Sequence, residues 1–320
     1  MNTKPLIYFL KTCELGSIAA AARQLDIAQP SISQQIANLE HTLGSLLFER
    51  DHRGVRLTEA GEKFRLHAEV IVRQVENAKQ EIRQIATDPS GKLAIGMTQP
   101  IGNIIAVPLL GAIQERYPNV EIDIYTGLSY SLVKQLKSGE IDLLIASPDG
   151  SDFADIIKEI LFKERIFLAI GRQPKQESVK ELLTKSQIRF AELANYDVMV
   201  TNRQDSLGYM LHQYEQKTGV TLKHKPPYGQ LMTTLRYVSE GYGLLISPSS
   251  AFYHLQLLEQ IHALDITEPT LWRDVYLARS PLRPDTSLSR AVRREICAIV
   301  RSEHAQGHWQ GELSDLVLAQ

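Results

Sequence analysis

The 320-residue chain is poor in cysteine and contains no long hydrophobic run. Its two cysteines, Cys13 and Cys297, lie far apart without a CxxC pair or a Cys/His cluster, so neither a disulfide scaffold nor a zinc site is expected. Charged residues interrupt every apolar segment short of the roughly 20 residues that a membrane-spanning helix requires. Residues 1–10 lack the features of a secretory signal. The sequence therefore predicts a cytoplasmic protein without a membrane partner.

Catalytic residues are also missing at usable spacing. The nine histidines are scattered, and no Ser/His/Asp set, Cys/His set, metal cluster or phosphate-binding loop is recognisable. We therefore expect no enzymatic activity, no metal and no cofactor, and an enzyme acting on a small acid is the alternative. The formal net charge of −2 does not favour a nucleic-acid partner. A case for DNA binding must rest on the arrangement of motifs.

Three short helices are predicted at the N-terminus. Residues 4–14 carry apolar side chains at helical spacing, and Gly16 ends this helix. Ser17 is a good N-cap for a second helix that runs to Leu25. Pro30 lies in the first turn of a third helix, where proline is tolerated. The inward stripe of the third helix consists of Ile32, Ile36, Leu39 and Leu43.

The remaining faces of the third helix carry uncharged polar side chains. Such groups both donate and accept hydrogen bonds, as contacts with base edges and phosphates require. They are Gln29, Ser31, Ser33, Gln34, Gln35 and Asn38. Taken alone, this pattern fits an ordinary amphipathic surface helix better than a helix that enters a DNA groove.

Residues 48–57 read as a strand, a turn at Gly54 and a second strand. Three arginines surround the turn: Arg50, Arg53 and Arg56. A cationic hairpin placed directly after three helices predicts a wing that lies along the sugar-phosphate backbone. A solvated charged hairpin is the alternative.

Together these segments resemble the LysR family of bacterial transcriptional regulators over residues 1–65, and the resemblance is highly specific. It is carried by Phe9-Leu10, Gly16-Ser17-Ile18, Ala20-Ala21-Ala22, Leu25, Gln29-Pro30-Ser31-Ile32-Ser33-Gln34-Gln35-Ile36, Leu39-Glu40, Leu43-Gly44, Leu47-Phe48-Glu49-Arg50 and Leu57-Thr58-Glu59-Ala60-Gly61. The resemblance implies a winged helix-turn-helix DNA-binding domain at residues 1–58.

The resemblance also implies roles for individual residues. Groove contacts would come from the start of the third helix: Gln29, Pro30, Ser33 and Gln34. Ser17 and Arg53 would lie near phosphates. Family members often carry Arg where this chain has Gln34, so readout is expected to shift from guanine toward adenine or a water-mediated contact.

A long helix is predicted over residues 59–88, because Thr58 is a natural N-cap and the segment contains no proline. Its apolar residues alternate at spacings of four and three, which is a coiled-coil seam. They are Phe64, Ala68, Ile71, Val75, Ala78, Ile82 and Ile85. The seam predicts a homodimer, although a helix packed on its own domain is the alternative. Two joined copies would read double-stranded DNA at an interrupted inverted repeat.

From Lys92 onward, short apolar strands alternate with helices, which predicts two α/β lobes. Lobe 1 comprises residues 92–165 and 267–303, lobe 2 comprises residues 166–266, and residues 304–320 form a C-terminal tail. The segment resembles the LysR effector domain, which is itself like periplasmic binding proteins. The motifs that carry this resemblance are residues 96–98, 139–145 and 241–248, and Ser247 stands where the family normally has Leu.

Ligands of α/β sheets bind at the carboxyl ends of the strands, next to helix N-termini. The corresponding residues here are Thr98, Gln99, Pro100, Thr126, Gly127, Ser129, Thr201, Asn202 and Arg203, with Tyr228 as a cover and Ser247 in the wall. They predict a polar, preferably anionic effector. Helix capping is an equal alternative for Thr98, Ser129 and Thr201, and a plain surface arginine is the stronger alternative for Arg203.

The sequence thus predicts a sequence-specific DNA-binding regulator whose activity a small molecule modulates. A transporter's solute-binding protein is a further alternative, but it would need an export signal and no winged helix. The family resemblance extends the expected assembly from a dimer to a homotetramer and adds RNA polymerase as a candidate partner.

Overall fold

The computed structural model describes residues 2–51, 54–83, 89–147, 156–203, 205–280 and 285–319. The chain divides into two compact units. Unit 1 comprises Met1–Gly91 with Ser138–Glu140, and unit 2 comprises Lys92–Lys137 with Ile141–Gln320.

Unit 1 has the helical triplet, hairpin and long helix that the sequence predicts. Its elements are α1 (Lys4–Leu15), α2 (Ile18–Leu25), α3 (Gln29–Leu43), β1 (Phe48–Asp51), β2 (Gly54–Leu57) and α4 (Glu59–Arg83). Gly16 ends α1 with φ 60°, and Ser17 Oγ accepts the Ala20 N–H at 3.3 Å to cap α2. β1 and β2 are antiparallel. The prediction of a winged helix-turn-helix is confirmed.

A single aromatic cluster forms the centre of unit 1. Phe9 is fully buried, and its ring centroid lies 5.2 Å from those of both Phe48 and Phe64. Ile32 and Ile36 of α3 and Ala68 of α4 are also fully buried in this cluster. The inward stripe of α3 therefore holds the helix in place while its other faces stay outside.

The start of α4 is fixed tightly against the segment that precedes β1. Thr58 Oγ1 donates to Leu46 O at 2.7 Å and accepts the Gly61 N–H at 2.9 Å, as an N-cap does. A Cβ atom at Gly61 would lie 2.1 Å from Leu47 O, so only glycine permits this approach. Glu40 Oε1 accepts the N–H groups of Leu47 and Phe48 at 2.8 and 3.2 Å.

Unit 2 contains two sheets with helices on their faces. The first part comprises β3 (Gly91–Thr98), α5 (Gln99–Arg116), β4 (Val120–Gly127), α6 (Ser129–Ser138), β5 (Leu143–Ala146) and β6 (Ile157–Gly171). The second comprises α7 (Glu177–Lys180), β7 (Gln187–Arg189), β8 (Asp197–Met199), α8 (Ser206–Thr218), β9 (Lys223–Lys225), α9 (Leu231–Ser239), β10 (Leu244–Pro248), α10 (Ser249–Leu257) and β11 (Ile261–Thr267), with short 3₁₀ turns at Glu181–Thr184 and Phe190–Asn195. The last comprises β12 (Trp272–Arg279), α11 (Ser287–Ala305), β13 (Gly311–Leu313) and α12 (Asp315–Leu318).

The long strand β6 belongs to both sheets. Its first part pairs with β12 up to Arg165, and its second part pairs with β10 and β11 from Ile166 onward. The change of sheet falls between Arg165 and Ile166, and β11 ends at Thr267 before β12 returns to the first sheet. β3 pairs with β5, and β8 with β9 and β10, in parallel. The predicted two-lobed α/β fold is confirmed.

The segment predicted as a C-terminal tail packs into lobe 1. Trp309 is fully buried there, with its ring centroid 4.6 Å from that of Phe162. Val317 is also fully buried in this cluster, and β13 pairs with β6 through Gly311 opposite Glu164. Lobe 1 therefore extends beyond residue 303, because these side chains complete its apolar core.

Candidate functional sites

The exposed face of α3 carries the polar side chains that the sequence singled out. Gln29, Pro30, Ser31 and Gln34 are exposed and Ser33 is half-buried. Gln34 Nε2 donates to Asn38 Oδ1 at 3.0 Å, so the two amide groups act as one hydrogen-bonding unit. The helix begins at Gln29 without a side-chain cap from Ala28. Because Ala28 has no polar side chain, it cannot cap the first backbone N–H groups of α3.

The hairpin and the turn before α2 lie next to each other. Val55 N donates to Gly16 O at 3.0 Å. Arg56 is exposed on β2 opposite Glu49. Arg50 is a residue of β1, but its side chain, like all of Arg53, lies outside the described residues. The hydroxyl of Ser17 is used by its cap of α2.

The predicted seam of α4 is corrected at its N-terminal end. Phe64 is half-buried against the core of unit 1, and Ala68 is fully buried in that core, which leaves Ala68 no exposed surface for a second copy. The first residues of the seam lie on the face of α4 that packs against α1. Ile71 is exposed, and Val75 and Ala78 are half-buried. The side chain of Ile82 and all of Ile85 lie outside the described residues.

Unit 2 contains a cavity of about 930 Å³ at the carboxyl ends of its strands. Nine of the predicted effector residues line it: Thr98, Gln99, Pro100, Thr126, Gly127, Thr201, Asn202, Arg203 and Ser247. Ser129 and Tyr228 are not among the lining residues. Ser129 is buried, and Tyr228 instead packs on Tyr237 with ring centroids 4.6 Å apart.

Two buried hydroxyls in this cavity lack a hydrogen-bond partner among the described residues. They are Thr98 Oγ1, at the junction of β3 and α5, and Thr201 Oγ1, just after β8. Thr98 is the N-cap residue of α5, yet its side chain makes no capping bond. Because buried polar groups are nearly always paired, these two oxygens mark a place where a polar ligand would complete the structure.

Side chains from both lobes meet at the edge of the cavity. Gln99 Oε1 of α5 accepts the N–H of Leu231, the first residue of α9, at 3.2 Å. Asn103 Nδ2 donates to Ser250 O at 3.0 Å and contacts His254 Nδ1 at 3.2 Å. Burial lowers the pKa of His254, which favours the unprotonated Nδ1 that this contact needs.

Charge in the cavity is mainly positive. Arg203, Lys225 and Arg273 contribute cationic groups to the lining, and Asp205 contributes one acid. Lys225 Nζ lies 3.4 Å from Asp197 Oδ2. Lys225 and Arg273 could not be picked out from the sequence, because a cation within a strand pattern carries no sign of what it faces.

His224 also lines the cavity, and its imidazole is held by the buried carboxylate of Glu215. Glu215 Oε1 accepts the Leu222 N–H at 2.8 Å and lies 2.8 Å from His224 Nε2. Burial alone would raise the pKa of Glu215, but the hydrogen bonds from Leu222 and His224 outweigh it and lower the pKa. Glu215 therefore stays ionised and holds the imidazole.

The described part of the chain offers neither a metal site nor a membrane span. No group of three His, Cys, Asp or Glu side chains there could hold a metal ion. None of the described helices is long and apolar enough to cross a bilayer.

Family models match most of the chain. One described as the LysR substrate binding domain matches residues 86–298, and one described as a bacterial regulatory helix-turn-helix protein of the lysR family matches residues 4–62. The second covers the exposed face of α3, and the first covers most of the residues that line the cavity.

Individual proteins agree with these matches. The chain is 26% identical over 249 residues to the HTH-type transcriptional regulator YybE of Bacillus subtilis, covering 78% of this chain and 82% of that protein. It is 33% identical over 180 residues to the nitrogen assimilation regulatory protein nac of Klebsiella aerogenes, covering 56% of this chain and 59% of that protein.

A solved structure shares the fold over nearly the whole length. It is full-length CbnR in complex with its target DNA, with a TM-score of 0.66, 20% identity and coverage of 94% of this chain and 99% of that one. The family of these relatives consists of transcriptional regulators rather than enzymes. The chain therefore belongs to the LysR family and is a LysR-type transcriptional regulator with a helix-turn-helix domain and a substrate-binding domain.

Proposed function

We propose that this regulator binds specific DNA sequences and that a small polar, preferably anionic effector in the cavity of unit 2 controls its activity. The observation that carries the proposal is that the hydroxyls of Thr98 and Thr201 are buried in one cavity and have no hydrogen-bond partner among the described residues. A cavity of about 930 Å³ with such groups has the size and chemistry of a small-molecule pocket.

The anionic character follows from the charges and dipoles around the cavity. Three cationic side chains and one acid line it, and α5 begins at its wall. The partial positive charge of a helix N-terminus favours negative ligand groups. A carboxylate near Thr98 would accept hydrogen bonds from the hydroxyl and from backbone N–H groups of the first turn.

The effector acts by changing the closure of the two lobes. Gln99 and Asn103 already join them through bonds of 3.2 and 3.0 Å, so a ligand that contacts both walls alters the equilibrium between closed and open forms. Only a difference in affinity between the two forms can shift that equilibrium.

DNA recognition is assigned to the exposed start of α3, with phosphate contacts near the wing. The residues are Gln29, Pro30, Ser31, Ser33 and Gln34 for the groove and Ser17, Arg50, Arg53 and Arg56 for the backbone. The uncharged amides and hydroxyls of the helix can pair with base edges in the major groove. Arg56 is exposed as a phosphate contact requires.

A homodimer through α4 supplies two such helices for an interrupted inverted repeat in double-stranded DNA. Its proposed contacts are reduced to the part of the seam beyond Ala68: Ile71, Val75, Ala78, Ile82 and Ile85. A homotetramer, a contact with RNA polymerase and a cytoplasmic location complete the proposal.

A gel-shift titration tests the DNA part. The purified chain should retard the DNA upstream of its own gene, with an affinity that falls steeply with salt because phosphate contacts release counterions. Equal retardation of unrelated DNA would contradict sequence specificity.

The effector part is tested by replacing Thr98 and Thr201 with Ala. Thermal shifts across a panel of small carboxylates, aromatics and amines should identify ligands that stabilise the native chain, and the double variant should lose these shifts. Thr184→Ala, which removes an exposed hydroxyl outside the cavity, is the matched control. Unchanged ligand responses in the double variant would show that the effector binds elsewhere.

A further inference from the structure

An ion pair lies at the floor of the cavity. Arg273 of β12 lines the cavity, and its side chain is only 9% exposed. Its Nε donates to Oε1 of Glu164, which is fully buried on β6. A buried carboxylate of this kind requires a cation beside it, since an isolated buried charge is strongly unfavourable.

The second oxygen of Glu164 is held by two donors. Trp309 Nε1 donates to Oε2 at 2.9 Å, and Ser250 Oγ donates to the same oxygen at 3.3 Å. With both oxygens occupied, the carboxylate has a fixed orientation. The guanidinium is therefore held from a defined direction, through its Nε.

Trp309 belongs to a segment that the matched family model, which ends at residue 298, does not include. The backbone ties this segment to the point where β6 changes sheets. Arg165 N donates to Gln310 O at 3.1 Å, and Gln310 N donates to Ser249 Oγ at 2.9 Å. The indole is thus anchored on both sides, and it is buried against Phe162.

We propose that Arg273 is an effector-binding residue and that Glu164 and Trp309 are positioning residues that aim its guanidinium into the cavity. This inference rests on the proposed control by an anionic effector. A guanidinium has five N–H donors in a rigid plane, so one edge can hold Glu164 while the remaining donors bind a carboxylate of the ligand.

Charge balance is consistent with this role. Glu164 neutralises Arg273 and Asp197 pairs with Lys225, so the charge of the incoming anion is met by Arg203 and by the first turn of α5. Arg273 then contributes directional hydrogen bonds rather than net charge. It should discriminate a carboxylate from the isosteric amide, whose NH₂ group would face the guanidinium donors.

The test compares two matched pairs of probes on the full chain: benzoate with benzamide, and hexanoate with hexanamide. Calorimetric titration gives the ratio of carboxylate to amide affinity. Arg273→Gln should reduce this ratio about tenfold or more, as expected for a lost hydrogen bond between charged groups. The double variant Glu164→Gln/Arg273→Gln leaves no uncompensated buried charge, and it should give the same reduction if the single variant folds poorly.

Trp309→Phe keeps an aromatic ring against Phe162 but removes the N–H donor. We expect a smaller reduction of the ratio, about threefold, and no further reduction when Trp309→Phe is added to Arg273→Gln. A merely structural role would lower both affinities equally and would persist in the double variant. Arg165→Gln is the control, because it breaks an ion pair to Asp265 at the same crossing, outside the cavity lining.

The outcomes separate the two proposals. If the native chain prefers carboxylates and Arg273→Gln leaves the preference unchanged, the inference is overturned while control by an anionic effector stands. If the native chain binds none of the four probes, or binds carboxylates and amides equally, the anionic effector itself is contradicted and the inference falls with it.

Discussion

On α3 the polar side chains of the proposed DNA contacts are exposed, whereas the hydroxyls of Thr98 and Thr201 in the cavity are buried without a partner in the described structure. The first site lies on a helix that its apolar stripe and the Glu40 carboxylate hold in place, so its exposed polar groups are free to vary. In the second, the hydroxyls proposed for recognition are themselves buried in the wall of a cavity. On α3, one face of the helix serves stability and another serves recognition. In the cavity, the same buried hydroxyls affect both stability and recognition.

Substitutions on opposite faces of α3 should show the largest contrast. Ile32 is fully buried, and Ile32→Ala should destabilise unit 1 by about 2–5 kcal/mol because it leaves a cavity. Gln34→Ala should change stability by less than about 0.5 kcal/mol but alter base preference by about 1–3 kcal/mol. Chemical denaturation and selection of binding sites measure the two effects. A strongly destabilised Gln34→Ala would break the separation by face.

Gly61→Ala sharpens the contrast by testing a close backbone contact. The added Cβ would lie 2.1 Å from Leu47 O, and forced displacement of this kind costs about 1–3 kcal/mol. DNA affinity should fall with the stability of unit 1. Gly111→Ala is the control, since nothing lies within 4 Å of a Cβ there and alanine favours helix. Equal melting temperatures for the two variants would show that the approach of α4 is not tight.

Removing hydroxyls should affect the two units with opposite signs. Thr58→Val loses a bonded N-cap and should destabilise the protein by about 1 kcal/mol. Thr98→Val replaces a buried hydroxyl, which has no partner in the described part of the chain, by a methyl group. Stability should stay unchanged or rise slightly, while the effector response weakens. Melting temperatures without ligand decide between these signs. Destabilisation by Thr98→Val would indicate that its hydroxyl already has a partner.

The smallest expected effect is a pH dependence at the contact between the lobes. Burial lowers the pKa of His254, so its contribution to stability is full above about pH 6.5, the usual value, and is lost as pH falls through the lowered pKa. Protonation would also remove the acceptor that faces Asn103. His254→Gln should therefore lose less stability between pH 7.5 and 5.5, as thermal denaturation at each pH would show. An identical pH profile would contradict this role.

The fold of unit 1 could be predicted because its signals are local. The stripe of Ile32 and Ile36, the left-handed Gly16 and the cap at Ser17 act within a few residues of one another. The heptad pattern of α4 is less decisive, because Phe64 and Ala68 pack in the core of unit 1, and the contact of the later residues with a second copy stays a prediction.

Only the part of the cavity that lies at the ends of strands could be predicted from the sequence. Thr98 and Thr201 follow apolar strands, and both line the cavity. Arg273 and Trp309 each contact Glu164 from more than a hundred residues further along the chain. No periodicity in the sequence indicates such a contact. The position of Tyr228 just before a helix predicts that it covers the ligand. Its ring instead packs on Tyr237 of α9.

The continuous strand β6 limits how the lobes can move. Both sheets are hydrogen-bonded to β6, which changes partner between Arg165 and Ile166, so a change in the closure of the lobes has to pass through this continuous strand. We expect relative motion of the lobes to be taken up as torsion of that strand. Effector binding is therefore expected to produce a rotation of small amplitude, best measured by distances between spin labels on the two lobes rather than by a change in overall size.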